Sequence, residues 1–150
     1  MEEFEVVRKK TSATWKSFFF PVSLYAMKFS QLAILAEETV TAAQNALPPD
    51  LRPLACALPV SYEPMPNDAI LADGLEPDIL GLFVGPPHAA AQASDLADVP
   101  PQILLFLGNL WDYAEADVQI FREEVRLTYL HELGHYLGWD EEDLADRGLD

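Results

Sequence analysis

The stretch HELGHYLGWDEEDL, residues 131–144, constrains the fold of this chain more than any other feature of the sequence. His131 and His135 are four residues apart, so on a helix their imidazoles stand one above the other, about 6 Å apart along the axis. Two imidazoles in that arrangement can bind one metal ion. The pattern HExxH therefore predicts a helix that runs through these residues and carries a metal site on one face.

The glycines of this stretch predict how the chain continues. Gly134, between the histidines, leaves room for a ligand or a strand to approach. Gly138, three residues after His135, permits a sharp turn at the end of the helix. That turn aims Glu141 at the site, which extends the pattern to HExxHxxGxxE. Two imidazoles and one carboxylate are acceptable zinc ligands that leave a fourth position open, so we predict zinc held by His131, His135 and Glu141.

Four other side chains are alternatives for the third ligand. Asp140 is more useful as the cap of a final helix, and Glu142 and Asp143 are more typical of a solvated acidic face. His88 follows Gly-Pro-Pro in a predicted loop and is the only other histidine. The position after the glycine turn favours Glu141 over all four.

Glu132 suits a different role, that of a general base. It follows the first histidine directly and lies roughly 100° further round the helix, near the ion without having to ligate it. Such a carboxylate can accept a proton from an attacking water while zinc polarises the scissile carbonyl. A structural zinc site needs no base and is usually closed and Cys-rich. The residues favour a hydrolase, and the alternatives are a noncatalytic zinc-binding domain that mediates a protein interaction and a chance HExxH on a helix surface.

Three further side chains are candidates for supporting roles. Glu124 precedes His131 by two helical turns on the same face and could orient an imidazole, although a surface charge is the simpler interpretation. Tyr129 and Tyr136 are candidates because a phenol near zinc can stabilise an oxyanion.

The charge and cysteine content limit the partners and the compartment. The formal net charge is −16 with nine Lys and Arg, whereas phosphate binding needs clustered basic side chains, so nucleic acid is not expected. Half of the 150 residues are apolar, enough for the core of one domain. Cys56 is the only cysteine, and its apolar neighbours predict a buried, inert thiol. A reducing compartment, the cytoplasm, fits best.

The N-terminal segment superficially resembles a secretory signal, because basic residues precede an apolar run in RKKTSATWKSFFFPVSLYAM. The chain opens acidic, however, and Pro21 and Ser23 interrupt the apolar run. No segment approaches the roughly 20 apolar residues that a membrane span requires. We therefore expect no membrane association, an extension over residues 1–26 and one domain over residues 27–150.

The periodicity of apolar residues predicts an alternation of helices and strands. Helices are predicted over residues 29–47 with Ser30 as cap, from 114–117 to 137, and after a capping box of Asp140 and Asp143. Strands are predicted over residues 53–64, 79–85 and 101–107, with loops over 65–78 and 88–99. Pro59 favours an edge position or a bulge for the first strand. The third strand is apolar on both faces, which favours a central or covered position.

These stretches together resemble a family of small bacterial zincin-like metallopeptidase domains. The resemblance is carried by residues 51–66, which end in YEPMP, and by ILGLFVGPP, PQILLFLGNL and VRLTYLHELGHYLGWDEEDL. It implies an α+β zincin-like fold, in which a small mixed β-sheet packs against a long N-terminal helix and an HExxH active-site helix. It also implies zinc and a peptide or protein substrate. The family's acidic position after the glycine falls on Glu141, where Asp is more common.

Overall fold

A computed structural model describes residues 27–89 and 99–147, so the predicted extension over residues 1–26 lies outside the described residues. The helices are α1 (Phe29–Ala46), α2 (Arg52–Ala57), α3 (Asp68–Ala72), α4 (Leu107–Tyr113), α5 (Val118–Tyr136) and α6 (Glu141–Asp146). The strands are β1 (Val60–Glu63), β2 (Gly81–Val84) and β3 (Gln102–Phe106). The α+β class predicted from the sequence is confirmed.

The three strands form one mixed sheet in the order β1-β3-β2. The central strand β3 runs parallel to β1 and antiparallel to β2. Ile103, Leu105 and Phe106 of β3 are fully buried, which confirms the prediction that this apolar strand is central. Pro59 directly precedes β1, which lies at an edge of the sheet as expected.

The long helix α1 begins at the predicted residue and ends one residue earlier than predicted, but its N-cap differs. Its buried residues Leu32, Ala36 and Val40 recur at helical spacing and pack against α5. The prediction of Ser30 as the N-cap is wrong, because Ser30 lies within the first turn of the helix. The N-cap is Lys28, whose backbone N–H donates to Gln31 Oε1 at 3.0 Å.

The prediction of a strand over residues 53–64 is wrong for its first half. Residues 52–57 form α2, with Pro53 in the first turn, where the missing N–H of proline costs nothing. Cys56 is exposed rather than buried, because on a helix it is rotated about 100° away from its buried neighbour Ala55. Only residues 60–63 are extended.

Among the described residues, two short helices are seen from end to end where none was predicted. In α3 the Oδ1 atom of Asn67 caps the helix by accepting from the Ile70 N–H at 3.0 Å. In α4 the buried side chains Leu107 and Leu110 continue the apolar run of β3, so the sequence shows no break between strand and helix. His88 and Ala89 are helical, and the rest of the predicted loop over 88–99 lies almost wholly outside the described residues.

The helix α5 packs against both α1 and the sheet. Its buried residues Phe121, Val125, Tyr129 and Leu133 belong to the same core as α1. No helix among the described residues is long and apolar enough to cross a membrane. The HExxH motif lies near the C-terminal end of α5.

Candidate metal centre and general base

The helix α5 is fixed at both ends by local interactions. At its start, Asp117 Oδ1 accepts from the N–H groups of Gln119 and Ile120 at 2.8 and 3.0 Å. At its end, Gly138 has a φ of 81° and its N–H donates to the His135 carbonyl at 3.1 Å. The Trp139 N–H donates to the carbonyl five residues earlier at 2.9 Å, which completes a Schellman turn. The helix ends as predicted, and the turn reverses the chain toward the histidines.

Gly134 provides the space into which the returning chain packs. A Cβ atom at this position would overlap Leu144 Cδ2 and would lie 3.2 Å from Trp139 Cε3. Leu144 is fully buried in this notch. The sequence predicted room for a ligand or a strand, whereas the space is filled by a side chain of α6. This contact holds α6, and with it Glu141, against the end of α5.

The predicted capping box of α6 is present. Asp140 Oδ1 accepts from the Asp143 N–H at 2.9 Å, and Asp143 Oδ2 accepts from the Asp140 N–H at 3.2 Å. The carboxylates of these two residues therefore cap the N-terminus of α6. Glu142 is exposed in the first turn.

The structure brings His131, His135 and Glu141 together. Glu141 Oε1 lies 3.6 Å from His131 Nε2 and 3.9 Å from His135 Nε2. One candidate ligand atom from each of the three residues lies within 4.8 Å of the others. Tetrahedral zinc with bonds of about 2.0–2.1 Å needs ligand atoms about 3.4 Å apart, so this donor set fits a zinc ion. The imidazoles are nearly buried, while the carboxylate is 49% exposed.

Glu132 is fully buried beside this group, but it faces strand β2. Its Oε2 atom accepts a hydrogen bond from the Phe83 backbone N–H at 2.8 Å. A buried carboxylate needs such donors, because burial without them strongly disfavours its charged form. Sequence reasoning missed Phe83, although the GLFVG stretch that contains it was one of the stretches carrying the resemblance.

The strand ladder explains why this N–H can reach Glu132. Leu80 and Phe106 lie opposite each other, and the Phe106 N–H donates to the Leu80 carbonyl at 2.9 Å. Hydrogen-bonded and non-hydrogen-bonded pairs alternate in an antiparallel ladder, so Phe83 and its partner Ile103 form a non-hydrogen-bonded pair. The Phe83 N–H therefore points away from β3, toward the outer side of β2.

Comparison with known proteins identifies the family. A family model described as zincin-like metallopeptidase matches residues 56–149, well over half of the chain. The chain belongs to the zincin-like metallopeptidase family. None of the curated proteins matches it. The matched region contains the HExxH helix, β2 and Glu141, whereas α1 precedes it.

In this zincin-like metallopeptidase, His88 is not among the three residues of the metal group. Its Nδ1 atom is 3.0 Å from Tyr136 Oη, and the two rings make an edge contact with centroids 5.4 Å apart. The Tyr136 ring also packs on Phe83, with centroids 5.8 Å apart. Tyr136 therefore lies on the β2 side of α5, as Glu132 does, and it stays a candidate for binding a substrate oxyanion.

Tyr129 is in the core rather than at the metal group. Its hydroxyl accepts from Gln44 Nε2 of α1 at 3.1 Å, and its side chain is fully buried. Burial raises the pKa of this phenol above its ordinary value. The prediction that Tyr129 is an oxyanion candidate is therefore wrong. Glu124 is partly buried on α5, and its suggested role in orienting an imidazole stays a prediction.

Proposed function

We propose that this chain is a zinc-dependent peptidase that hydrolyses peptide bonds in peptide or protein substrates. In this proposal His131, His135 and Glu141 bind the zinc, and Glu132 is the general base. The observation that supports it best is the convergence of two nearly buried imidazoles and one accessible carboxylate beside a fully buried glutamate. Three protein ligands leave a coordination position open, as catalytic zinc sites do and closed structural sites do not.

The proposed reaction divides the work between the ion and Glu132. Zinc at this site would supply Lewis-acid chemistry, which polarises the scissile carbonyl and lowers the pKa of water. Glu132 accepts a proton from the attacking water and delivers it to the leaving amine. The Phe83 N–H donates to Oε2 and so orients this carboxylate. A reducing compartment such as the cytoplasm suits the exposed thiol of Cys56.

The variant Glu132→Gln tests this proposal. Glutamine keeps the size and can still accept the Phe83 N–H, but it cannot accept the proton, and loss of a general base costs about 10²–10⁴ in rate. We expect unchanged zinc content and unchanged thermal unfolding together with lost cleavage of a peptide library. Glu123→Gln is the matched control, because Glu123 is an exposed glutamate on the same helix that pairs with Arg126.

Two outcomes contradict the proposal. Cleavage by Glu132→Gln at the wild-type rate would show that this carboxylate is not the base. A wild-type chain that binds zinc but cleaves nothing in broad peptide libraries would favour the noncatalytic zinc-binding domain that mediates a protein interaction.

A further inference from the structure

The carboxylate of Glu132 is bound to strand β2, outside its own helix. The Phe83 N–H donates to Oε2 at 2.8 Å, and both residues are buried. This N–H belongs to a non-hydrogen-bonded pair of the β2–β3 ladder, so its direction is set by the strand and leads away from the sheet. A hydrogen bond to a charged acceptor is shorter and stronger than one between neutral groups. The strand thus fixes one oxygen of the proposed base.

Gly81 allows β2 to come close enough for this contact. A Cβ atom at this position would lie 2.5 Å from Thr128 Cγ2 and 3.3 Å from Glu132 Cγ. Real Cβ atoms essentially never come as close as the first of these distances, so with any larger residue the Thr128 side chain, β2 or α5 would have to shift. Gly81 is therefore required for space rather than for a left-handed backbone.

We infer that β2 is a positioning element for the general base, with Gly81 setting its distance from α5 and the Phe83 N–H orienting the carboxylate of Glu132. The inference rests on the proposed function, because it assigns a role in catalysis to the GLFVG stretch. Orientation matters for rate, since a misplacement of about 1 Å can cost on the order of 10²-fold. We therefore assign Gly81 as a positioning residue that acts through Glu132.

The decisive variant is Gly81→Ala in the full-length, zinc-loaded chain. We expect kcat to fall by about tenfold to 10²-fold while KM and zinc content stay unchanged, because only the orientation of the base is altered. The amide resonance of Phe83, followed by ¹H–¹⁵N NMR, should move from its wild-type position toward its position in Glu132→Ala, which lacks the acceptor.

A second substitution provides rescue. Thr128→Ser removes the Cγ2 atom that lies nearest to the new Cβ. The double variant of Gly81→Ala and Thr128→Ser should recover both kcat and the wild-type Phe83 resonance. Gly108→Ala is the matched control, because its Cβ would overlap the Pro64 carbonyl oxygen at the end of the opposite edge strand, β1. It should lower stability without moving the Phe83 resonance or the kcat of the folded chain.

The outcomes separate this inference from the proposed function. A wild-type kcat and an unmoved Phe83 resonance in Gly81→Ala would overturn the inference, and so would an equal loss of kcat in Gly108→Ala. A wild-type chain that cleaves no peptide contradicts the proposed function, while the NMR comparison still decides whether β2 holds Glu132. If Gly81→Ala does not fold, Glu132→Ala decides, since an unchanged Phe83 resonance there rules the hydrogen bond out.

Discussion

Glu141 differs from the two histidines in how it is supported. The imidazoles of His131 and His135 are nearly buried against their own helix, whereas the carboxylate is 49% exposed. Its backbone lies in the first turn of a helix that is capped by Asp140 and docked by Leu144. An exposed side chain contributes little to the core, so its removal should affect metal binding and leave the fold intact.

This difference predicts that replacing Glu141 and replacing its neighbour Glu142 with alanine will have different effects on zinc affinity. Loss of a residue that only hydrogen-bonds to a metal ligand lowers metal affinity by roughly 10–100-fold. Glu141→Ala should lower the zinc affinity by more than this, because it removes a ligand itself. Glu142→Ala, which removes an exposed glutamate one residue later, should leave zinc affinity unchanged, and so should His88→Ala. Competition with a chromophoric chelator measures all three affinities. Equal weakening by Glu141→Ala and Glu142→Ala would contradict the assignment of the third ligand.

The candidate site could be predicted only where its residues are close in sequence. The two histidines, Glu132 and Glu141 lie within eleven residues, so helical spacing and one glycine turn were enough to bring them together. Phe83 is 49 residues from Glu132, and the contact between them depends on the strand ladder. No local sequence pattern specifies a contact between residues so far apart in the chain, so this contact could not be predicted from the sequence.

At the scale of elements, the junction of α5 and α6 connects the fold to the metal group. The Schellman turn at Gly138 reverses the chain, and Leu144 packs over Gly134. Arg147 lies over the Trp139 ring at 4.2 Å and its Nη1 donates to the Asp143 carbonyl at 2.7 Å, which closes the far side of the junction. The position of Glu141 is therefore a property of helix packing as well as of the turn.

Gly134→Ala tests this junction, because here it should lower the free energy of unfolding, whereas the same change usually stabilises a helix. In an exposed helix the change would stabilise by about 1 kcal/mol, because alanine has the higher helix propensity. Here the new methyl group would overlap Leu144, so we expect a lower free energy of unfolding and weaker zinc binding. Chemical denaturation and chelator competition measure the two effects. A more stable variant with unchanged zinc affinity would show that α6 does not depend on this contact.

The elements differ in how well the sequence predicted them. The long helices α1 and α5 show several turns of apolar periodicity, and their bounds were predicted to within about four residues. Five of the six residues of α2, residues 53–57, were predicted as strand, because Leu54, Cys56 and Leu58 alternate as a strand would. So short a segment fits both the helical period and the two-residue period of a strand, and its tertiary packing determines which structure forms.

At the scale of the whole molecule, the core is larger than the region that the family model matches. The match begins at residue 56, whereas Leu32, Ala36 and Val40 of α1 are buried in the core. They pack against one apolar side of α5, where Gln44 also donates to the fully buried Tyr129. Without α1, the helix that carries the metal group would expose this apolar side to water.

This architecture predicts different outcomes for two truncations. A chain that begins at Met27 should unfold cooperatively and bind zinc as the full chain does, because α1 starts at Phe29 and its first turn is closed by Lys28 and Gln31. A chain that begins at Leu51 should lose both properties. Burying one large aliphatic side chain contributes about 1.5–3 kcal/mol, and the free energy of unfolding of a domain is only about 5–15 kcal/mol. Removing all of α1 therefore removes more stabilisation than the domain has to spare.

Thermal unfolding and zinc content measured on the same preparations decide the matter. Adding a peptide of residues 27–50 to the shorter chain is the control, since it should restore zinc binding if α1 acts only by covering α5. Cooperative unfolding of the chain from Leu51 would show that the region matched by the family model folds alone. Loss of zinc by the chain from Met27 would show that residues 1–26 belong to the domain, and the boundary at residue 27 would then be wrong.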